Sequence, residues 1–182
     1  SFTDWSEKRK MGINGRYMTA SCGILDANWV KSCPYSVALS AGMDAMTHCL
    51  ESFTCRQSTT MSRIVSLAAF PMIWRSLPRL RENNYDPAST QLLLVGAHLA
   101  AAALMNSGSG IASALSYPLS VHYKVPHGIG GGMFLASVIK FNVDNGYAGY
   151  GELAQQIALG DSGSQVGLSH QFLEEFQGLM AY

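Results

Sequence analysis

Two residues four apart, Asp44 and His48, form the first pattern in this sequence that could do chemistry. On a helix that spacing puts both side chains on one face, one turn apart. A carboxylate and an imidazole so placed can grip one divalent ion. Equally, they can form an ion pair or a cap. Gly42, just ahead of them, removes a side chain near that face and admits another backbone or a ligand. Glu51, three residues beyond His48, is spaced to hold the free ring nitrogen of that histidine. The second pattern is Val125-Pro126-His127-Gly128-Ile129-Gly130-Gly131-Gly132. Proline before the histidine and glycine after it fix the backbone at a helix start, so His127 is well aimed, whether as a ligand or as a capping histidine. The glycine run lacks G-x-G-x-x-G spacing after a strand and no Walker lysine follows, which argues against a phosphate cradle. His98 reads as a core or interface histidine. His122 joins a site only if the turn before His127 folds back, and His170 reads as solvated.

The elements that must position these groups are mainly helices. Ser36 is placed to cap a helix running to about Phe53, with Val37, Leu39, Met43, Met46 and Leu50 on its apolar face. A second helix is expected over about Thr59–Leu80, with Pro71 and Pro78 kinking or ending it. Glu82–Asp86 reads as a loop. Further helices are expected over Ser89–Met105, Ile111–Tyr123 (with Pro118 inside it), Pro126–Phe141, about Tyr147–Leu159 and about Ser164–Met180. Residues 1–34 differ in texture: turn residues are dense, helical periodicity is absent, and Cys22–Asp26 reads as a short strand. The chain is thus expected to be mainly α, with residues 1–34 as a trailing β segment and 35–182 as a helical domain.

Composition narrows the function classes. Apolar residues make up 48% and charged residues 13% of the 182 positions, which rules out disorder. Twelve basic and twelve acidic side chains cancel, so there is no basic footprint for nucleic acid. So charge-poor a chain suggests a surface covered by a partner subunit or by a further domain. No apolar run reaches the roughly 18 residues of a membrane span, Leu92–Met105 being interrupted by Gly96 and His98. Ser1–Lys10 has no apolar stretch of the signal-peptide kind, and the absence of an initial Met suggests a fragment. Cys22, Cys33, Cys49 and Cys55 form no C-x-x-C pair, so free thiols in a reducing cytoplasm are the simplest reading.

Three stretches together resemble the iron-containing (group III) alcohol dehydrogenase family, within the dehydroquinate synthase-like superfamily. Ile24-Leu25-Asp26, Pro34 and then Gly42-Met43-Asp44-Ala45-Met46-Thr47-His48-Cys49-Leu50-Glu51 are similar to its G-x-D-A-x-x-H-x-x-E signature. Gly110–Leu119 resembles a segment that usually reads G-x-x-H-A-x-x-H-P-L, and Val125-Pro126-His127-Gly128 resembles V-P-H-G. The resemblance implies that Asp44, His48 and His127 are metal ligands and that the chain is the catalytic helical half of the protein. Before it would come the end of a truncated nucleotide-binding domain, whose glycine-rich cofactor motif would lie ahead of Ser1. The last helices would be incomplete. It implies a divalent metal, iron or zinc, and NAD or NADP in the full-length protein. It also implies a small alcohol or aldehyde as substrate, no nucleic acid and no membrane, with room for a homo-oligomer. Ser113 stands where the family carries a fourth ligand histidine and Tyr117 where it carries a second, so these two residues would line the substrate side. Because a hydroxyl is a weaker donor than imidazole, the alternative is a degenerate, non-catalytic helical domain serving in binding or subunit assembly. The fragment alone is expected to be inactive.

Overall fold

The computed structural model describes residues 2–13, 15–18, 20–81, 86–159 and 163–181. Among them the chain is mainly α, as expected. A short antiparallel hairpin, β1 (Phe2–Asp4) with β2 (Arg9–Met11), precedes seven α-helices. Thr3 lies opposite Lys10 in its register. The Asp4 carboxylate closes the turn, accepting from Ser6 N and Oγ and from Glu7 N at 3.0, 2.6 and 3.1 Å.

The expected strand at Cys22–Asp26 is not formed. Among the described residues its backbone has no neighbouring strand, and a side chain meets it instead. Gln91 accepts from Ala27 N at 3.0 Å and donates to Leu25 O at 2.9 Å. Asp26 then caps a 3-10 turn at Ala27–Val30 through Asn28 N. A short apolar run signals an extended backbone but not what pairs with it.

Helix α1 (Tyr35–Thr54) starts directly after Pro34, two residues ahead of the expected Ser36 cap. α2 (Thr60–Arg81) passes through Pro71 and Pro78 without ending. Each proline withholds a donor from the carbonyl four residues back and costs about 3 kcal/mol. Burying Phe70, Ile73 and Leu77 returns roughly 1.5–3 kcal/mol apiece, and tertiary packing wins. Most of the expected Glu82–Asp86 loop lies outside the described residues. α3 (Pro87–Met105) starts earlier than Ser89 because Asp86 is the cap, accepting from Ala88 N and Ser89 N. Those two extra residues correct the membrane-length expectation. Among the described residues α3 alone is long and apolar enough to cross a membrane, and here it packs against α1 and α2. α4 (Ile111–Tyr123) and α5 (His127–Asp144) fall where expected, while α6 is the shorter Tyr150–Gln156 and α7 is Gln165–Ala181.

α1 is the central helix, packing against α2, α3 and α5. Its Met46, Leu50 and Phe53 lie in one core with Phe70 and Ile73 of α2 and Leu135 and Ile139 of α5. Aromatic rings tie α6 and α7 to α2, Tyr150 stacking on Phe172 at 5.3 Å and Phe70 meeting Phe172 at 5.6 Å. Arg63 fastens the same corner, donating to Phe53 O at 3.1 Å and pairing with Glu152 at 2.6 Å. All four cysteines are free, but they are not equivalent. Cys49 is fully buried, and burial pushes its thiol far above the ordinary range, whereas Cys22 is exposed. In the native state an aromatic disulfide reagent should label Cys22 within minutes and Cys49 only on unfolding. Rapid native labelling of Cys49, read by peptide mapping, would contradict this packing.

Candidate metal centre

α1 presents Asp44 and His48 on one face, and the first residue of α5 brings His127 to them. One donor atom from each of the three lies within 4.8 Å of the other two. Asp44 Oδ1 is the shared vertex, 3.5 Å from His48 Nε2 and 3.6 Å from His127 Nε2. Both separations are too long for a hydrogen bond. They match the roughly 3.4 Å expected between donors that each lie about 2.1 Å from one tetrahedral ion. The donor set of two imidazoles and one carboxylate suits zinc or ferrous iron, so the residues present fit a divalent metal.

The orientation of His127 is set from behind. Ser116 Oγ donates its one proton to Ser113 O at 2.6 Å. Its 2.8 Å contact with His127 Nδ1 must therefore be one in which the ring N–H donates. That fixes the tautomer, leaving Nε2 with a free lone pair facing Asp44. Burial lowers the pKa of His127 and outweighs the opposing field of Asp44, so the ring is neutral at neutral pH, as a ligand must be. Ser113 in turn anchors Glu51, whose carboxylate accepts from Ser113 N at 2.9 Å and from Ser113 Oγ at 2.6 Å. Glu51 therefore serves α4, and the expected bond to His48 is not made. Removing the hydroxyl in Ser116→Ala should weaken zinc binding by roughly tenfold or more. Equal zinc affinities for the two proteins by calorimetry would remove Ser116 from this role.

Close backbone contact is what lets His127 reach α1. At Gly128 a Cβ would run into the Ser40 carbonyl oxygen and come within 2.9 Å of Asp44 Cβ. The glycine run thus serves helix packing. Gly42 does the same on the other side of α1, its missing Cβ lying 2.7 Å from Leu77 of α2. It admits no ligand to the Asp44 face, contrary to expectation.

Of the two residues expected to line the substrate side, Ser113 is 3% exposed and its hydroxyl is committed to Glu51. Tyr117 is 38% exposed, and its ring lies 5.4 Å from that of His127. His98, His122 and His170 are exposed and outside the cluster, which corrects the core reading of His98 and leaves His122 out of the site. Sequence reasoning missed Lys10, whose ammonium sits 5.1 Å over the Tyr117 ring. It also missed Ser116, although its spacing of three from Ser113 on α4 placed both on one helix face.

Residues 38–180 match the sequence profile of the Fe-containing alcohol dehydrogenase family, C-terminal part. The chain belongs to this family. Among curated relatives of these iron-type dehydrogenases, a probable alcohol dehydrogenase, EutG, of Escherichia coli is 28% identical over 134 residues, 74% of this chain and 34% of the relative. The NAD-dependent methanol dehydrogenase of Bacillus methanolicus is 26% identical over 141 residues, 78% of this chain and 37% of the relative. The chain thus spans about a third of the length of these relatives. Among solved structures, an archaeal halo-thermophilic alcohol dehydrogenase from a Red Sea brine pool superposes with a TM-score of 0.87 at 18% identity, over 98% of this chain and 46% of that one. NADH-dependent butanol dehydrogenase A of Thermotoga maritima gives 0.82 at 21% identity over the same shares, 98% and 46%. At such identities these two likenesses speak for the fold alone.

Proposed function

We propose that this chain is the helical, metal-holding part of an NAD(P)-dependent alcohol dehydrogenase that moves hydride between the nicotinamide and a small alcohol or aldehyde. In this reading residues 1–34 are the trailing piece of the nucleotide-binding domain and 35–182 the C-terminal helical domain. The observation that carries it is the spacing of Asp44, His48 and His127 around one point, with the His127 tautomer set by Ser116. Asp44, His48 and His127 would hold the ion, iron or zinc. When bound, such an ion supplies Lewis acidity toward a substrate oxygen. Asp44 supplies one negative charge and the two imidazoles supply neutral donors. Tyr117 walls the site beside His127, its ring 5.4 Å from the imidazole. The free thiols fit a reducing compartment such as the cytoplasm.

The experiment is metal analysis of the full-length protein together with NAD(P) reduction by primary alcohols. One ion per chain and metal-dependent turnover are expected. Stoichiometric metal-free protein that binds neither zinc nor ferrous iron would sink the reading. A second reading, a degenerate domain serving in binding or subunit assembly, is favoured by one observation: the Ser113 hydroxyl, in the family's ligand position, is turned to Glu51.

A further inference from the structure

On the face of α1 turned away from Asp44, a cavity of about 270 Å³ lies between α1, α3, the end of α2 and the link that leads into α1. Gly42 lines it from α1, where a Cβ would come within 3.5 Å of Leu93 and 3.7 Å of Leu80. Leu80, Leu93, Leu94 and Ala97 make its walls apolar. An apolar cavity of ~150 Å³ already admits benzene, so this one has room for a longer aliphatic body. Two polar groups are set into that surface. Thr90 is 7% exposed, and its hydroxyl makes no hydrogen bond among the described residues, although its amide donates to Asp86 O at 2.9 Å. Unlike the sealed hydroxyls of Ser52, Ser66 and Ser120, this oxygen keeps accessible surface. Groups buried to that degree are nearly always satisfied, so the hydroxyl is open to something that enters. Lys31 is the second group. It is exposed, forms no ion pair among the described residues, and shares the lining with no carboxylate. The 3-10 turn that leads to Lys31 is held to the start of α3 by Gln91, the neighbour of Thr90. Along α3, Thr90 precedes Leu93, Leu94 and Ala97 on one helix face, so the cavity has a polar end and an apolar end.

We propose that this cavity binds an aliphatic carboxylate of medium length, on the order of eight carbons, with its chain among Leu80, Leu93, Leu94 and Ala97 and its head at Lys31 and Thr90. A neutral alcohol satisfies the Thr90 hydroxyl and leaves the ammonium group unpaired. A carboxylate accepts from both, and hydrogen bonds to an ionised group are about twice as strong as neutral ones. A short carboxylate makes the same polar contacts but leaves the apolar walls uncovered, and each CH₂ that enters them adds to affinity. The nearest acid along the chain, Asp86, is engaged in capping α3 and does not compete for Lys31. The site lies across α1 from the metal centre and stands whether or not the chain turns over an alcohol.

Calorimetric titration of octanoate, 1-octanol and acetate into the full-length protein at fixed ionic strength tests this. Octanoate should bind roughly tenfold tighter than octanol and about a hundredfold tighter than acetate. Lys31→Gln should lose about tenfold for octanoate and leave octanol unchanged, and Thr90→Val should lose roughly threefold for both. Ala97→Phe, which fills the apolar end, should abolish binding of both while keeping the wild-type melting point. The Cys33 thiol also lines the cavity and reports the place of binding on the unaltered protein. Saturating octanoate should slow its labelling by an aromatic disulfide reagent about tenfold and leave the exposed Cys22 unprotected. Octanoate that binds no tighter than octanol or acetate overturns the proposal. So does a Cys33 that stays unprotected at saturation, whatever the variants do. Octanoate binding lost in Asp44→Ala but kept in Ala97→Phe would assign the carboxylate to the metal centre, which also overturns it. A full-length protein that binds none of the three has this cavity covered by the remainder of its chain, and the proposal fails there too.

Discussion

A Gly128→Ala protein should melt roughly 6–12 °C below wild type and lose most of its metal affinity. The added Cβ would meet the Ser40 carbonyl oxygen, with the carbonyl carbon at 2.8 Å and Asp44 Cβ at 2.9 Å. A backbone oxygen inside α1 cannot swing aside, so α5 must back away from α1. Overpacking against backbone costs about 3 kcal/mol, and in a chain of this size each kcal/mol lowers Tm by about 2–4 °C. The same retreat carries His127 from Asp44, so the metal site fails with the packing. Gly132→Ala is the contrast, because the atom it would meet is the flexible end of Met43, Cε at 2.6 Å. There the side chain can turn, and a change under about 1.5 kcal/mol is expected. Thermal unfolding by circular dichroism, paired with zinc titration, reads both. A Gly128→Ala melting point within 2 °C of wild type would mean that α1 and α5 are not in backbone contact.

Asp44→Ala should reduce zinc affinity by roughly a hundredfold while leaving the metal-free fold near wild-type stability. Asp44 Oδ1 is the atom both imidazoles face, and it supplies the only charge in the donor set. Protein zinc sites with four ligands gain about 10–16 kcal/mol. One ligand is therefore worth about 3 kcal/mol, or some two orders of magnitude in affinity. Asp44 is only half-buried and makes no hydrogen bond to either ring, so its loss leaves no buried partner stranded. Protons offer an independent check through His127. The ligand is the neutral ring, and burial holds its pKa below the ordinary imidazole value of about 6.5. The His127 contribution to metal binding should thus persist as pH falls through that value and vanish only below the depressed pKa. A competition assay with a chromogenic chelator, run across pH, measures both effects. Unchanged affinity in Asp44→Ala would show that the three residues do not share an ion.

The candidate triad was legible through the resemblance to the family, since the residues alone read equally well as an ion pair and a capping histidine; local signatures supplied only the placement. A spacing of four on a helix fixes Asp44 against His48, and proline before His127 fixes where α5 begins. What the sequence could not convey was the identity of long-range partners. Glu51 has the spacing to reach His48, yet Ser113, from a helix far along the chain, offers two donors to its carboxylate. Cys22–Asp26 is apolar enough for a strand, yet Gln91 takes the Leu25 carbonyl and the N–H of Ala27 just beyond it. α2 survives two prolines because Phe70, Ile73 and Leu77 are buried, a fact of the finished core and not of the segment. Lys10 carried no signal, since a lysine in a charged run looks solvated until the hairpin lays it over Tyr117.

The division of the triad between α1 and the first residue of α5 has a consequence in time. Asp44 and His48 come into register as soon as α1 forms, even while the rest of the chain is unfolded. His127 arrives only when α4 and α5 dock, because Ser116 and Gly128 aim it. An ion met early in folding would find a weak, two-donor perch and exchange freely. An ion present at the end would be clasped by a third donor that closes a long loop of chain. Loading would then be a late event, and departure would begin with the lifting of the α5 start. Held so, the ion would act as a latch on the last step of assembly.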